Sequence, residues 1–490
     1  MTAAAASPLW RRLLVYDPAT PLLFNSGQFL ALFLATYAVF LAVRSRVRAR
    51  SLFLLAVSWF LYYKTSGLYL VILLLNTGAI FGLGRLMGSG APPRVRRAAL
   101  LAGIALSLGT LGWFKYANLV LETLAALRRA EFSPLALFLP IGISFYTFHN
   151  LSYLLDVYWG KMEPCTSLLD FAVYAAFFPQ LVAGPIVRAR QFLPQIRLPL
   201  VLDADGQARA FRLIAGGLVK KAVIADYLGA NLVDRVFDAP AAFGGLETLL
   251  AVYGYAFQIY GDFSGYSDIA IGLALLLGFR LPQNFDAPYR SASVTEFWRR
   301  WHMSLSSWLR DYLYIPLGGN RLGSVRTYVN LMLTMLLGGL WHGAAWRFVA
   351  WGGLHGGALA VERFWGARDR PPAGPLRRAL GTVLTFHFVC LGWVFFRAPG
   401  FDAALAVLGR IASGFPLAML GAFQRGYPFI LPLLALGVAL HALPAGTEER
   451  FDRVYARAPL PLQAAWLAGA ILLALQAQGA AIQPYIYFSF

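Results

Sequence analysis

Long apolar runs recur along this chain from Phe29 to the C-terminus, and only short basic or Gly/Pro-rich turns separate them. Hydrophobic residues make up 59% of the 490 residues and charged residues only 13%, whereas about 25% of the residues of a soluble domain are charged. A helix needs about 20 predominantly apolar residues to cross a bilayer. The pattern predicts an all-α polytopic membrane protein with roughly ten to twelve transmembrane helices.

The apolar runs differ in length. The run at 51–63 is too short for a full crossing, whereas the runs at 246–278 and 327–361 are longer than one crossing needs. We therefore expect re-entrant or tilted helices around residues 296–312 and 327–346. No soluble segment of domain size is visible, so residues 1–490 are expected to form one transmembrane domain.

Residues that interrupt helices stand at Pro282, Pro316 and Gly338–Gly339. Irregular backbone at membrane depth survives only where protein or water covers it. We expect these interruptions to line a central cavity.

The formal charge of +19 raises the question of nucleic-acid binding. The basic residues, however, cluster in short loops between apolar runs, for example at Arg44–Arg50 and Arg94–Arg97. This is the pattern of positive charge on the cytoplasmic side of a membrane protein, and it argues against a nucleic-acid partner. The two cysteines, Cys165 and Cys390, lie far apart without other metal-ligand residues nearby, so neither a disulfide framework nor a metal site is expected.

The segment 296–321, EFWRRWHMSLSSWLRDYLYIPLGGNR, has the spacing of an amphipathic helix over residues 296–312. Five large apolar residues share one face of that helix, namely Phe297, Trp301, Leu305, Trp308 and Tyr312. Arg299, Ser306 and Arg310 share the opposite face, and His302 stands at the border. Such a helix lies at a membrane interface or lines a polar funnel. Pro316 and the glycines after it should end it.

His342 lies in LLGGLWHGAAW, where small residues would let a backbone or an acyl chain approach closely. An imidazole in an apolar site stays neutral at pH 7, which suits a general base that takes a proton from an attacking hydroxyl. A packed histidine bonded to a carbonyl explains the same pattern equally well. His302 would donate a hydrogen bond to a thioester carbonyl or orient the substrate, or it is an interfacial histidine on a basic helix.

Other polar residues in apolar runs have both functional and structural explanations. Arg299 and Arg310 would meet the phosphate of an anionic donor, or they mark the headgroup boundary. Asp262 and Asp268 are more readily explained as a buried polar network satisfied by neighbouring Ser and Tyr hydroxyls. His355 is either a partner of His342 or a packing residue, and packing is also expected for the remaining histidines, which are His149, His387 and His441.

Several enzyme classes lack their motifs. The sequence contains no G-x-S-x-G elbow, no H-E-x-x-H and no Walker-type glycine loop. These absences leave room for direct transfer that uses histidine without a covalent intermediate. A transporter or flippase would also be polytopic, but the internal repeats typical of transporters are not visible.

Four runs resemble the membrane-bound O-acyltransferase (MBOAT) family, in its bacterial AlgI-like branch of alginate O-acetyltransferases. The runs are FFPQLVAGPIVRARQFLPQI at 177–196, YGDFSGYSDIAIGLALLLGFRLPQNFDAPYRS at 260–291, EFWRRWHMSLSSWLRDYLYIPLGGNR at 296–321 and LLGGLWHGAAWRFVAWGGLHG at 336–356. The resemblance implies an MBOAT fold, a ring of transmembrane helices around a central funnel, with a catalytic core at about 177–356. It also implies that His342 is the active-site histidine and that His302 occupies the second catalytic position.

The resemblance further implies which molecules take part. An acyl group, expected to be acetyl, would pass from a cytoplasmic thioester donor, acetyl-CoA or an acyl-carrier phosphopantetheine, to a hydroxyl beyond the inner membrane. The acceptor would belong to an exported polysaccharide or to peptidoglycan, and a periplasmic SGNH-hydrolase-like acetyltransferase would be the partner. No bound cofactor is expected. The alternative within the family is D-alanyl transfer from a carrier protein to a cell-envelope polymer.

Overall fold

A computed structural model describes residues 14–17, 22–88, 90–181, 184–199, 203–366, 374–414, 417–444, 446–477 and 483–486. These residues form helices and turns and contain no β-strand, which confirms the predicted all-α class. The chain divides into two compact units, one of residues 1–210 with 269–282 and one of residues 211–268 with 283–490.

The first unit contains nine complete α-helices among the described residues. They are α1 (Gly27–Val43), α2 (Val47–Ser66), α3 (Leu70–Leu86), α4 (Pro93–Leu111), α5 (Ala117–Arg128), α6 (Ile143–Tyr158), α7 (Leu168–Ala176), α8 (Phe178–Leu181) and α9 (Ala189–Arg197). Helix α6 packs against α3 and α4, and α7 packs against α2 and α3. The break between α2 and α3 falls at Gly67, whose φ of +57° suits glycine and whose Cα faces the ring of Tyr16.

Helix α10 (Ala204–Val219) and helix α12 (Gly245–Leu276) each continue from one unit into the other, and α11 (Asp234–Asp238) lies between them in the sequence. The other helices of the second unit are α13 (Val294–Arg300), α14 (Met303–Leu309), α15 (Ser324–His342), α16 (Trp346–Phe364), α17 (Pro375–Arg397), α18 (Phe401–Ala412), α19 (Leu420–Gly426), α20 (Ile430–His441), α21 (Thr447–Arg457) and α22 (Leu460–Ala477). Helices α15 and α16 pack along each other, and α16 also contacts α13 and α17.

Within the described residues, four helical segments are long and apolar enough to cross a membrane: Val47–Leu86, Pro93–Arg128, Pro375–Arg397 and Leu460–Ala477. The pair α19 and α20, bent by 92°, makes a fifth if it is one span. Only 6% of the apolar window in α22 is buried by the protein itself. Hydrocarbon chains of lipid would cover such a surface, and the chain is a multi-pass membrane protein.

Two local predictions were wrong. The helix expected over 296–312 is broken at Trp301–His302, because His302 adopts a left-handed conformation with φ +42° and ψ +54°. A five-residue π-helical turn, Arg310–Tyr314, follows α14 and ends before Pro316 as expected. Gly338–Gly339 do not interrupt α15, which continues to His342. Their small size instead lets α16 approach, since the Cα of Gly339 faces the carbonyl of Phe348 and the backbone of Gly352.

Candidate active site

His342 is the last residue of α15, and extended backbone at Gly343 turns the chain toward α16. A Cβ atom at Gly343 would lie 2.0 Å from the ring of Phe348, so this turn requires glycine. The imidazole of His342 is packed edge-on against two aromatic rings, with centroid distances of 5.1 Å to Trp351 and 5.4 Å to Phe396. The helix end and the aromatic wall together hold His342 at a defined position.

His302 stands at the break between α13 and α14. A left-handed conformation in a residue other than glycine costs about 1–3 kcal/mol and persists only where the surroundings enforce it. The side chain is fully buried, and its ring meets that of Phe263 on α12 edge-on at 4.6 Å. Strained residues of this kind cluster at functional sites.

The two histidines predicted from separate motifs are neighbours. The ring centroids of His302 and His342 are 6.2 Å apart. Trp341 contacts both, with its ring 5.7 Å from that of His302 and 5.0 Å from that of His342. The two histidines therefore lie close enough together to belong to one site.

A cavity of about 1040 Å³ opens onto His342. Apolar side chains form much of its wall, among them Met303, Leu309, Met335 and Trp351. Arg299, Ser306 and Arg310, which the sequence placed on one polar face, all line this cavity. His302 is not among the lining residues and is fully buried beside His342. The cavity is therefore large enough for an extended ligand whose end reaches His342.

The wall of the cavity is basic. It carries five arginines, namely Arg299, Arg310, Arg363, Arg377 and Arg378, but only two acids, Glu296 and Glu362. No carboxylate among the described residues forms an ion pair with Arg299, Arg363 or Arg377. An anionic ligand would therefore find guanidinium groups that are not already neutralised.

Both acids of the wall, Glu296 and Glu362, bond to other groups of the protein. Glu362 accepts hydrogen bonds from the backbone N–H groups of Val294, at 2.5 Å, and Thr295, at 2.9 Å, and so fixes the start of α13. Burial raises the pKa of Glu296, but the Ala292 N–H and the guanidinium groups of Arg378 and Arg300 more than offset this, so the net shift is downward. Neither acid is a free base for chemistry in the cavity.

Comparison with known proteins places the chain in a family. The model of the MBOAT, membrane-bound O-acyltransferase family, matches residues 163–400. A probable alginate O-acetylase of Azotobacter vinelandii is 43% identical over 404 residues, which cover 80% of this chain and 78% of that protein. The chain belongs to the membrane-bound O-acyltransferase family.

Two other relatives are named for different polymers, peptidoglycan and teichoic acid. A peptidoglycan O-acetyltransferase of Helicobacter pylori is 36% identical over 422 residues, 79% of each chain. A teichoic acid D-alanyltransferase of Streptococcus thermophilus is 32% identical over 281 residues, 52% of this chain and 68% of that protein. This chain is an acyltransferase whose similarity is more extensive to the acetyl-transferring relatives.

In this O-acyltransferase, Trp351 stands between His342 and His355. The Trp351 ring is 4.8 Å from that of His355, and His355 Nδ1 accepts a hydrogen bond of 3.3 Å from Nε1 of Trp298. Trp351 thus connects His355 to His342 through ring contacts on both sides. The other three histidines bond elsewhere: His149 with the Val187 N–H, His387 with the Tyr253 hydroxyl and His441 with the Gly437 carbonyl.

Asp262 and Asp268 are structural, but their partners are not the hydroxyls that we expected. Lys221 Nζ lies 2.6 Å from Asp262, and Lys220 Nζ lies 2.5 Å from Asp268. Sequence reasoning missed these lysines. Their signal is a pair of cations inside an otherwise apolar run, because such charges at membrane depth need partners.

Proposed function

We propose that this acyltransferase moves an acetyl group from a cytoplasmic thioester donor to a hydroxyl of an exported polysaccharide or of peptidoglycan. The observation that carries the proposal is the position of His342 at the wall of a basic cavity of about 1040 Å³, 6.2 Å from His302. The names of the relatives from Azotobacter vinelandii and Helicobacter pylori support acetyl as the acyl group.

In the proposed reaction His342 is the general base. Its imidazole takes the proton of the acceptor hydroxyl while the hydroxyl oxygen attacks the thioester carbonyl carbon. The carbon–sulfur bond then breaks, and the leaving thiolate takes the proton from the His342 imidazolium, which gives the free thiol and returns His342 to its neutral form. His302 donates a hydrogen bond to the carbonyl oxygen as negative charge develops there, or orients the donor. Direct transfer fits a sequence that shows no Ser or Cys nucleophile in a base-paired motif.

Arg299 and Arg310 are proposed to bind the phosphate of the donor. Both line the cavity that reaches His342, and arginine binds phosphate through paired hydrogen bonds. A pantetheine arm ends in a phosphate on one side and in the thioester on the other. Acetyl-CoA and an acyl-carrier phosphopantetheine share this arm, so either donor fits the charge of the wall.

The wider setting of the reaction is also a proposal. Residues 1–490 would form one catalytic domain of ten to twelve crossings, with re-entrant or tilted helices around a central funnel and its core at about 177–356. The protein would lie in the inner membrane. A periplasmic SGNH-hydrolase-like acetyltransferase would receive the acyl group, because the sequence shows no soluble segment of a size that could hold a polymer.

D-Alanyl transfer to a cell-envelope polymer is the second candidate. The similarity to the D-alanyltransferase of Streptococcus thermophilus favours it. The two candidates share the donor thioester and the histidine pair and differ in the acyl group.

The test is acyl transfer by the purified full-length chain in lipid nanodiscs. Acetyl-CoA, acetyl-carrier protein and D-alanyl-carrier protein are each supplied with an oligosaccharide acceptor, with and without the periplasmic acetyltransferase, and release of free thiol and formation of ester are measured. We expect acetyl ester formation that falls by about 10²–10⁴-fold in His342→Ala. The control is His387→Ala, which removes an exposed histidine. Wild-type turnover by His342→Ala would refute the mechanism, and transfer of D-alanine alone would favour the second candidate.

A further inference from the structure

The turn that carries His302 is held by the loop that follows α12. The backbone N–H of Met303 donates to the carbonyl of Asn284 at 2.9 Å, and the N–H of Asp286 donates to the carbonyl of Arg300 at 3.0 Å. These two bonds lie on either side of His302. The loop therefore fixes the chain before and after the strained residue.

The side chain of Asn284 completes this attachment. Its Oδ1 accepts hydrogen bonds from the Ser304 hydroxyl at 2.6 Å and from the Ser304 N–H at 3.3 Å. Its Nδ2 donates to the hydroxyl of Ser267 on α12 at 3.1 Å. Asn284 is 1% exposed, so solvent offers these groups no replacement. One amide thus ties the first turn of α14 to a long helix.

These bonds do for α14 what an N-terminal capping side chain usually does. The first N–H groups of a helix lack partners within it, and the residue at the N-cap normally supplies an acceptor. His302 occupies the N-cap of α14 but makes no capping hydrogen bond. Asn284 accepts from the next two residues instead, through its carbonyl and its Oδ1. The imidazole of His302 is consequently not needed as a cap and faces His342.

We propose that Asn284 is a positioning residue for catalysis, which fixes His302 in the left-handed conformation that brings its ring beside His342. The proposal rests on the proposed function, in which His302 polarises or orients the donor. A displacement of a catalytic group by about 1 Å can cost about 10²-fold in rate. Loss of Asn284 should therefore reduce kcat through His302 rather than reduce donor binding.

A double-mutant cycle on the full-length enzyme tests this. We expect Asn284→Ala to lower kcat by about 10–100-fold with KM changed less than about twofold. In the His302→Ala background the same change should cost almost nothing further, because the residue that Asn284 positions is already absent. Asn76→Ala is the matched control. Asn76 is another buried amide, and among the described residues its side chain bonds to Ile72 of its own helix alone.

Ser304→Ala is the second variant, for the case that Asn284→Ala does not fold. It removes the hydroxyl bond to Asn284 and keeps the bond from the Ser304 N–H. It should show the same kcat loss in weaker form and the same dependence on His302. Wild-type kcat in Asn284→Ala, or losses that multiply fully in the double variant, would overturn the proposal. If His302→Ala itself turns over at the wild-type rate, the proposed role of His302 fails, and Asn284 has no catalytic residue to position. This outcome is distinguishable from a failure of Asn284 alone, in which His302→Ala still loses activity.

Discussion

The rings of His302 and His342 lie 6.2 Å apart although forty positions separate the two residues in the sequence. His302 precedes the short helix α14, whereas His342 ends the 19-residue helix α15. The C-terminal end of a helix carries partial negative charge, which favours a positive group there. The imidazolium that forms when His342 accepts a proton would benefit from this position.

Two substitutions at His302 distinguish the strain of its left-handed backbone from the chemistry of its imidazole. Glycine tolerates the left-handed region, whereas alanine keeps the strain of a Cβ. We expect His302→Gly and His302→Ala to lose acyl transfer to the same strong extent, while His302→Gly is more stable by about 1 kcal/mol. Thermal unfolding in nanodiscs and turnover at matched protein concentration measure the two effects. Equal melting temperatures would contradict the strained turn.

Arg299 should affect the donor and not the fold. No acid among the described residues pairs with it, so its removal leaves no buried carboxylate uncompensated. We expect Arg299→Ala to raise the KM for the thioester donor about tenfold, the scale of one lost charge-assisted hydrogen bond, with stability changed by less than about 0.5 kcal/mol. Arg326→Ala, which removes an exposed arginine outside the cavity, is the control. Equal KM values for both variants would remove Arg299 from donor binding.

Periodicity predicted the helices better than it predicted their ends. The apolar run at 246–278 became α12 almost residue for residue, because one long buried helix obeys a single pattern. The segment 296–312 has one amphipathic period as well, yet it breaks at His302. The residues after the break, Met303 and Ser304, bond to Asn284, which lies 19 and 20 positions earlier in the sequence and outside any local pattern.

The sequence predicted the two histidines of the candidate site but not that they are neighbours. Each histidine stood out as a polar residue in an apolar motif, but their contact depends on how α14 and α15 pack. The lysine partners of Asp262 and Asp268 come from another helix and were missed for the same reason. We predicted a break at Gly338–Gly339 because glycine destabilises an isolated helix. Close packing against α16 outweighs that destabilisation here.

The ion pair of Lys221 and Asp262 should be essential for stability. Both side chains are almost fully buried, and Lys221 also lies 2.7 Å from Asp226. Removing one partner of a buried pair leaves an uncompensated charge, which costs about 3–5 kcal/mol. We expect Lys221→Ala to unfold at a much lower temperature, whereas Lys161→Ala, at an exposed lysine, should not. Unchanged thermal unfolding of Lys221→Ala would show that the pair contributes little.

The contact between α15 and α16 gives the last prediction. A Cβ at Gly339 would lie 2.2 Å from the carbonyl oxygen of Phe348 and 3.1 Å from the Cα of Gly352. Both are backbone atoms, so the helices themselves must separate, one turn before His342. Overpacking of this kind costs about 1–3 kcal/mol. We expect Gly339→Ala to lower both the unfolding temperature and acyl transfer.

Gly357 on α16 is the matched control, because a Cβ there would meet nothing within 4 Å. Alanine within a helix is favoured over glycine by about 0.5–1 kcal/mol, so Gly357→Ala should unfold at the same or a slightly higher temperature and keep its activity. The difference between Gly339→Ala and Gly357→Ala therefore reports the cost of disturbing the contact between the two helices, without the general effect of replacing a helical glycine. If Gly339→Ala matches Gly357→Ala in both unfolding temperature and acyl transfer, the close approach of α15 and α16 does not position His342.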